Sequence, residues 1–391
     1  MTRSRPPRCD DDAVSDPAFV LGPAQVEVLE RARRVAREEL RGVAESGSPG
    51  RVNRALVAAL AEHDLLPRLF PRDAGGSRDG SVSALELCLL REGIAQVSPE
   101  AETALALQGL GSYPILQSGT PEVVKRWIPE VASGRAVAAF ALTEPGAGSD
   151  AAALSLRAEP DGDGYRLTGE KKWISNAPDA DVYVVFARTT EGAGARGVTA
   201  FVVEGAAQGL SGEPLDLVAP HAIGTLVFDG VRAETVLGER DRGFHVAMRT
   251  LDLFRPSVGA FAVGMAQAAL DAAVAHAGER RAFGGPLKDL QAVSHKLADM
   301  ATKLEAARLL VYRAAAGYDA GEPPTRTSAM AKLFATEAAQ EIVDAAIQIH
   351  GAAGLEKGHL LEHLYREVRS TRIYEGTSEI QRNVIARSLF G

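Results

Sequence analysis

Phe140-Ala-Leu-Thr-Glu-Pro-Gly-Ala-Gly-Ser-Asp150 lies where the texture of the chain changes from helix to strand. Before it, from Gln25 to about Val131, apolar residues recur at helical spacing. Val28, Ala32, Val35 and Glu39 begin one amphipathic segment; Leu56, Ala59, Leu60 and His63 continue it after a Gly/Ser/Pro break at Ser46–Gly50. Leu85–Ile94 and Thr103–Leu116 are apolar enough for core helices, punctuated by Pro99, Pro114 and Pro121. After the quoted stretch come short apolar runs at Leu154–Ala158, Tyr165–Leu167, Val182–Ala187, Val198–Val203 and Thr225–Phe228. Turn signals such as Asp161-Gly-Asp-Gly164 and Glu191-Gly192 separate them, which predicts a β-barrel or sandwich of about a hundred residues.

From Phe244 the period returns to 3.6, with Val293, Leu297, Met300, Leu304, Ala307 and Val311 on one face. Ala331–Ile349 is a second long Ala-rich helix, and Ser378–Leu389 closes the chain with Ile380, Val384, Ile385 and Leu389 on its apolar side. Pro256 must either start a helix or kink one. The expected class is α+β multidomain: a disordered tail over 1–20, an N-terminal helical domain over 21–135, a middle β-barrel or sandwich domain over 136–240, and a C-terminal helical bundle over 241–391. A crevice between such layers is a natural ligand site.

Composition narrows the function. A chain of 391 residues exceeds one ordinary core, and 46% apolar residues suffice to fill several. A net charge of −8 gives nucleic acid no broad electrostatic attraction. Cys9 and Cys88 make neither a disulfide framework nor a metal-ligand spacing, which points to a reducing compartment and no metal. The Arg/Pro-rich start, Met1–Asp12, leads into no apolar stretch that could serve as a signal peptide, and Ser257–Leu270 is too short to span a bilayer. A soluble cytoplasmic protein without membrane contact is the expectation.

Four segments carry possible chemistry. In the stretch quoted first, the glycines allow backbone to approach a flat ligand closely, and Thr143 and Ser149 offer hydroxyls; alone it reads as a Gly-rich interdomain turn. Glu170-Lys-Lys-Trp-Ile-Ser-Asn176 reads as a polar–aromatic insert between strands, its Trp alone a core plug. Glu279-Arg-Arg-Ala-Phe-Gly-Gly-Pro-Leu287, followed by Gln291, sets arginines beside a turn at a helix end, where they could hold a pyrophosphate or merely cap the helix. Ile373-Tyr-Glu-Gly-Thr-Ser-Glu-Ile-Gln381 places Glu375 in a break before the final helix, which Thr377 or Ser378 can cap; alone this is a solvated carboxylate.

In that order and spacing, the four runs resemble the acyl-CoA dehydrogenase family, from roughly Gln25 to Gly391. The resemblance implies an N-terminal helical, a middle β and a C-terminal four-helix domain, with FAD between the last two. It implies removal of two hydrogens from Cα and Cβ of an acyl-CoA, with Glu375 as the base and an electron-transfer flavoprotein as acceptor. Flavin contacts would come from Phe140, Leu142, Thr143, Gly148 and Ser149, and from Trp173, Ile174 and Ser175. In the family the ADP portion is reached by a neighbouring subunit, and Arg280, Phe283, Leu290, Gln291, Gln348, Ile349 and Gly351 fall at matching positions. A homotetramer (a dimer of dimers), or at least a dimer, is what the resemblance implies. Thr377 and Glu379 match residues that hold FAD; Ser149, Asp252, Arg255, Tyr374 and Gly376 match substrate contacts, although Asp252 and Arg255 also read as an ordinary ion pair.

Some branches carry their base on an earlier helix just before an arginine that matches Arg255; Phe254 stands there and cannot accept a proton. Other departures concern the ligand periphery. Val218-Ala-Pro-His-Ala-Ile-Gly224 replaces a Gly-Ile-Arg-like stretch, with His221 read as a surface loop residue; Ala282 replaces a frequent Thr; and His350 and Ala352 flank the FAD-binding glycine unusually. Alternatives are desaturation of an acyl group on an acyl-carrier protein, an oxidase that passes electrons to oxygen, and a flavin-free binding module. Acyl length, branching and ring character stay open.

Overall fold

The computed structural model describes residues 20–390, so all of the predicted tail except Val20, and Cys9 with it, lie outside the described residues. The chain opens with α1 (Pro23–Val35), which passes through one π-helical turn, Ala36–Leu40, into α2 (Arg41–Glu45). Then follow α3 (Arg54–Glu62), α4 (Ala84–Ala95), α5 (Pro99–Ser118) and α6 (Pro121–Ala132). Polar side chains start these helices by accepting backbone N–H groups: Asn53 from Leu56, Ser83 from Glu86 and Ser98 from Ala101. Pro99 and Pro121 each occupy the first helical position, where a missing N–H costs nothing. Pro114 does not punctuate as expected; it lies inside α5.

Eight strands form one sheet: β1 (Ala138–Ala141), β2 (Arg157–Asp161), β3 (Gly164–Ser175), β4 (Val182–Arg188), β5 (Val198–Glu204), β6 (Leu210–Ser211), β7 (Ile223–Ala233) and β8 (Thr235–Leu237). Their order is β6-β7-β3-β2-β4-β5-β8, with β1 parallel to β4. Strands β4 and β5 separate two cores. Val182, Val184, Phe186, Ala200 and Val202 join the core of the helices, whereas Tyr183, Val185, Ala187, Phe201 and Val203 fill the inside of the β domain. Burial on both faces explains why these runs read as continuous apolar stretches rather than alternating ones. The expectation for Glu170–Asn176 needs correction. Glu170–Ser175 is no insert but the second half of β3, which runs against β7 with register shifts at Leu167/Gly169 and Lys171/Ile174.

The remainder is α7 (Gly243–Glu279), a short hairpin of β9 (Arg281–Ala282) and β10 (Gly285–Pro286), α8 (Gln291–Asp319), α9 (Thr325–His350), α10 (Leu360–Thr371) and α11 (Ser378–Leu389). Helix α9 packs on α7, α8, α10 and α11, and α4 also lies on α7 and α8. The N- and C-terminal helices therefore share one core. Helix α7 is long and apolar enough to cross a membrane, but most of that window is buried against its neighbours. On α8, Met300, Leu304, Ala307 and Val311 are buried as their spacing predicts. The apolar side of α11 is only partly covered: Ile380, Val384 and Ile385 are half-buried, and Leu389 is exposed.

Pro256 starts no helix; it sits inside α7. Its missing N–H frees the carbonyl one turn back, that of Asp252. Ser328 Oγ of α9 donates to that oxygen at 3.2 Å, so the proline creates an α7–α9 tie beside Asp252 and Arg255.

Candidate active site

Glu375 lies in the connection between α10 and α11, and its backbone is held in an uncommon shape. Glu375 and Gly376 have φ of +53° and +95°. At position 376 any side chain would be strained, and a Cβ there would also meet Gln381 Nε2 at 2.6 Å. Three partners fix the carbonyls. Arg255 Nε donates to Glu375 O at 3.3 Å, Lys332 Nζ to Gly376 O at 2.7 Å, and Gln381 Nε2 to both, at 3.2 and 2.9 Å. Glu337 on α9 grips the two ends of the loop, pairing with Arg372 at 2.8 Å and accepting from Ser378 Oγ at 2.6 Å. Thr377 caps α11 by accepting the N–H of Ile380 at 3.3 Å. With its backbone so constrained, a non-glycine residue at positive φ is a sign of functional strain.

The Glu375 residue as a whole is partly exposed, yet its Oε2 is buried and has no hydrogen-bond partner among the described residues. Its N–H donates to no backbone carbonyl among the described residues. Burial raises the carboxyl above its usual range, opposed by the charges of Arg91, Lys332 and Arg255. Burial likewise pushes Lys332 down to about 8, against the opposing pull of Glu375. Asp252 and Arg255 form an i,i+3 pair at 3.2 Å on α7, and Asp252 also accepts from Thr325 at 3.2 Å.

A further carboxyl nearby gives a stability prediction. Glu367 on α10 is buried, and burial pushes it from the usual 4.5 up to about 7. The folded state then holds this proton more tightly than the unfolded chain, so stability is lost as pH rises towards 7. Glu367→Gln should leave stability nearly unchanged at pH 4 and raise it at pH 8 by at most about 3 kcal/mol, at ~1.4 kcal/mol per unit. Urea unfolding at both pH values reads this; an equal change at the two would contradict it.

The other two parts of the site meet at the edge of the β domain. Phe140 is the penultimate residue of β1, and Leu142, Thr143, Gly148 and Ser149 follow in the loop, next to the end of β3 with Trp173, Ile174 and Ser175. Lys172 N–H donates to Thr143 O at 3.1 Å and Asn176 Nδ2 to Ala138 O at 2.8 Å, which ties the two segments. Beneath them Lys171 is fully buried, donating to Leu142 O at 2.9 Å and to Glu144 at 2.8 Å. Glu144 also accepts from Ser155 N and Oγ and from Leu156 N, at 2.6, 2.8 and 2.9 Å. Arg188 secures the far side of the loop through the carbonyls of Ala152 and Leu154, at 2.6 and 2.9 Å. Ile174 turns its side chain into the β core at 1% exposure, so only its backbone could meet a ligand.

This edge suits a flat aromatic group. Trp173 is 44% exposed at φ +56°, which presents an indole outward where the sequence alone suggested a core plug. A Cβ built on Gly146 or Gly148 would meet nothing within 4 Å, so the loop borders open space. Exposed indole, neighbouring hydroxyls of Thr143 and Ser149, and accessible backbone are what the flavin of FAD requires.

Arg280, Phe283, Leu290, Gln291, Gln348, Ile349 and Gly351 do not join this cluster. Arg280 lies about 37 Å beyond Arg255 along α7, and Gln348 about 24 Å beyond Lys332 along α9, at 1.5 Å per residue. Phe283, at φ +51°, is 94% exposed at the tip of the hairpin. His221 is half-buried in its loop rather than on the surface, and burial pushes it down to about 4. Sequence reasoning missed Lys332, Glu337 and the Lys171–Glu144 pair. A lone lysine within the Ala-rich run of α9 was the available signal for the first.

Known proteins resemble the chain along nearly its whole described length. Family profiles described as acyl-CoA dehydrogenase N-terminal, middle and C-terminal domains match residues 22–135, 139–231 and 241–390. The chain is 38% identical over 368 residues to cyclohexane-1-carbonyl-CoA dehydrogenase of Geobacter metallireducens, covering 93% of this chain and 96% of that one. It is 41% identical over 327 residues to the caffeyl-CoA reductase-Etf complex subunit CarC of Acetobacterium woodii, covering 82% and 85%. The structure of butyryl-CoA dehydrogenase from Megasphaera elsdenii superimposes with a TM-score of 0.91 at 35% identity, covering 96% of this chain and 100% of that one.

Proposed function

The chain belongs to the acyl-CoA dehydrogenase family, FAD-dependent oxidoreductases that act on CH–CH bonds, and from this we propose that it desaturates an acyl-CoA thioester between Cα and Cβ with Glu375 as the base. The observation that carries the reading is the buried, unpartnered Oε2 of Glu375 on a loop whose carbonyls are tied by Arg255, Lys332 and Gln381. An α-hydrogen of a thioester is a weak acid, so the base must be strengthened by removal from water. The Glu375 N–H, which donates to no backbone carbonyl among the described residues, would donate to the thioester oxygen and so stabilise the developing enolate. Bound FAD supplies the two-electron acceptor for the hydride that leaves Cβ. Thr143, Ser149, Trp173 and the backbone of Ile174 and Ser175 hold its ring, and Thr377 and Glu379 the adjoining portion.

The separation of Arg280, Phe283, Gln291, Gln348 and Gly351 from the Glu375 loop favours delivery of these residues to the FAD of a second subunit. The exposed Phe283 and the partly uncovered α11 support the same arrangement, a homotetramer built as a dimer of dimers. An electron-transfer flavoprotein is the proposed acceptor, by analogy with the CarC relative that works in a complex with one.

Anaerobic mixing of the FAD-loaded protein with short, branched, cyclic and long acyl-CoAs tests the proposal. At least one should bleach the flavin absorbance and yield a trans-2-enoyl-CoA; bleaching by none of them, or only by carrier-protein thioesters of the same acyl groups, would overturn the acyl-CoA assignment. Stoichiometric peroxide in air would replace the flavoprotein acceptor with oxygen.

A further inference from the structure

Two cations hold the Glu375 loop and a third is bonded to α7 two residues from Arg255, and none of them bonds to the Glu375 carboxylate. Arg255 donates to the Glu375 carbonyl and to Asp252, Lys332 to the carbonyl of Gly376, and Arg91 to Glu102 and to Ser257 Oγ, the last at 2.6 Å. The arrangement suits a base. A donor bonded to Oε2 would occupy the lone pair that has to receive a proton, whereas a nearby charge in a poorly polarisable interior favours the anion and leaves the lone pair open.

Arg91 on α4 and Glu102 on α5 are both enclosed, at 3% and 0% exposure, and the guanidinium also lies 5.8 Å from the centre of the Phe261 ring. Ser257 follows Arg255 by two residues on α7, so Arg91 is bonded to the same stretch of α7 whose Arg255 holds the Glu375 carbonyl. Other ionisable groups face this region: Asp252 from α7, Lys332 and Glu337 from α9, Glu367 from α10, Tyr374 within the loop and Glu379 from α11. Among the cations that oppose the effect of burial on Glu375, Arg91 is the strongest.

We propose that Arg91, held by Glu102 and Ser257, is a positioning residue that keeps the base ionised through space, and that Glu102 sets how much of its charge the base receives. The proposal rests on the reading of Glu375 as the base. Arg91 touches neither substrate nor cofactor in this role; it acts through the carboxylate.

The acid limb of kcat/KM against pH reads the ionisation of the base in the free enzyme. It is measured on FAD-loaded protein with whichever acyl-CoA of the panel bleaches fastest. Arg91→Met should move the limb up by about one pH unit, a ~10-fold loss of kcat/KM below the limb. Glu102→Gln removes the opposing anion and should move the limb down. Should Arg91→Met fail to fold, the neutral pair Arg91→Gln with Glu102→Gln keeps a hydrogen-bonding contact, and its limb should lie above that of Glu102→Gln alone. Packing damage would lower rates without moving the limb. Limbs that stay in place, or that move the same way in both single variants, overturn the role of Arg91. An active Glu375→Gln would instead overturn the base assignment.

Discussion

Replacing Glu375 by Gln is expected to leave a folded, yellow protein that bleaches with substrate about 10²- to 10⁴-fold more slowly, the range spanned by loss of a positioned general base. The amide is nearly isosteric, and the tethers to Arg255, Lys332 and Gln381 all run to backbone carbonyls, so they survive the change. What disappears is the carboxylate proposed to receive the α-proton. The neutral amide also relieves a buried charge, so stability should hold or rise. Stopped-flow bleaching together with the FAD content per chain separates the two effects. Colourless protein would point to a structural role for Glu375, and unchanged bleaching would exclude it as the base.

Lys171→Met should produce the largest loss of stability, about 3 kcal/mol, because it strands Glu144 in the interior without its cation. The lower end of the usual range applies because Glu144 keeps the hydrogen bonds from Ser155 and Leu156. The damage should be centred on the flavin edge, since Lys171 also donates to Leu142 O in the loop that carries Thr143 and Ser149. Loss of FAD on gel filtration should accompany a lower urea midpoint. Adding Glu144→Gln should restore part of the stability by removing the stranded charge. A midpoint equal to that of the parent protein would show that the pair contributes nothing net.

The fold class was legible where one period dominated. The alternating spacing of Met300, Leu304, Ala307 and Val311 follows directly from 3.6 residues per turn, and the runs at Val182 and Val198 are strands buried on both faces. β1 was not separately visible, because three of its four residues are alanine, which carries little strand preference. The polar half of β3 was misread for a related reason: its alternation is broken by the register shifts around Trp173. Of the candidate site, the loop around Glu375 stood out by its glycine and by the helix that follows. Its supports could not stand out. Lys332 and Glu337 reach the loop from α9 through pairings set by the fold, and no local spacing encodes such partners.

The claim that one carboxylate pulls the α-proton is tested most directly by a crystal structure of FAD-loaded Glu375→Gln with its acyl-CoA trapped unreacted. The side-chain amide should stand about 3–3.5 Å from the substrate's Cα, opposite a flavin ring packed on Trp173. An amide turned to bulk solvent, or a Cα closer to some other proton acceptor, would contradict the account.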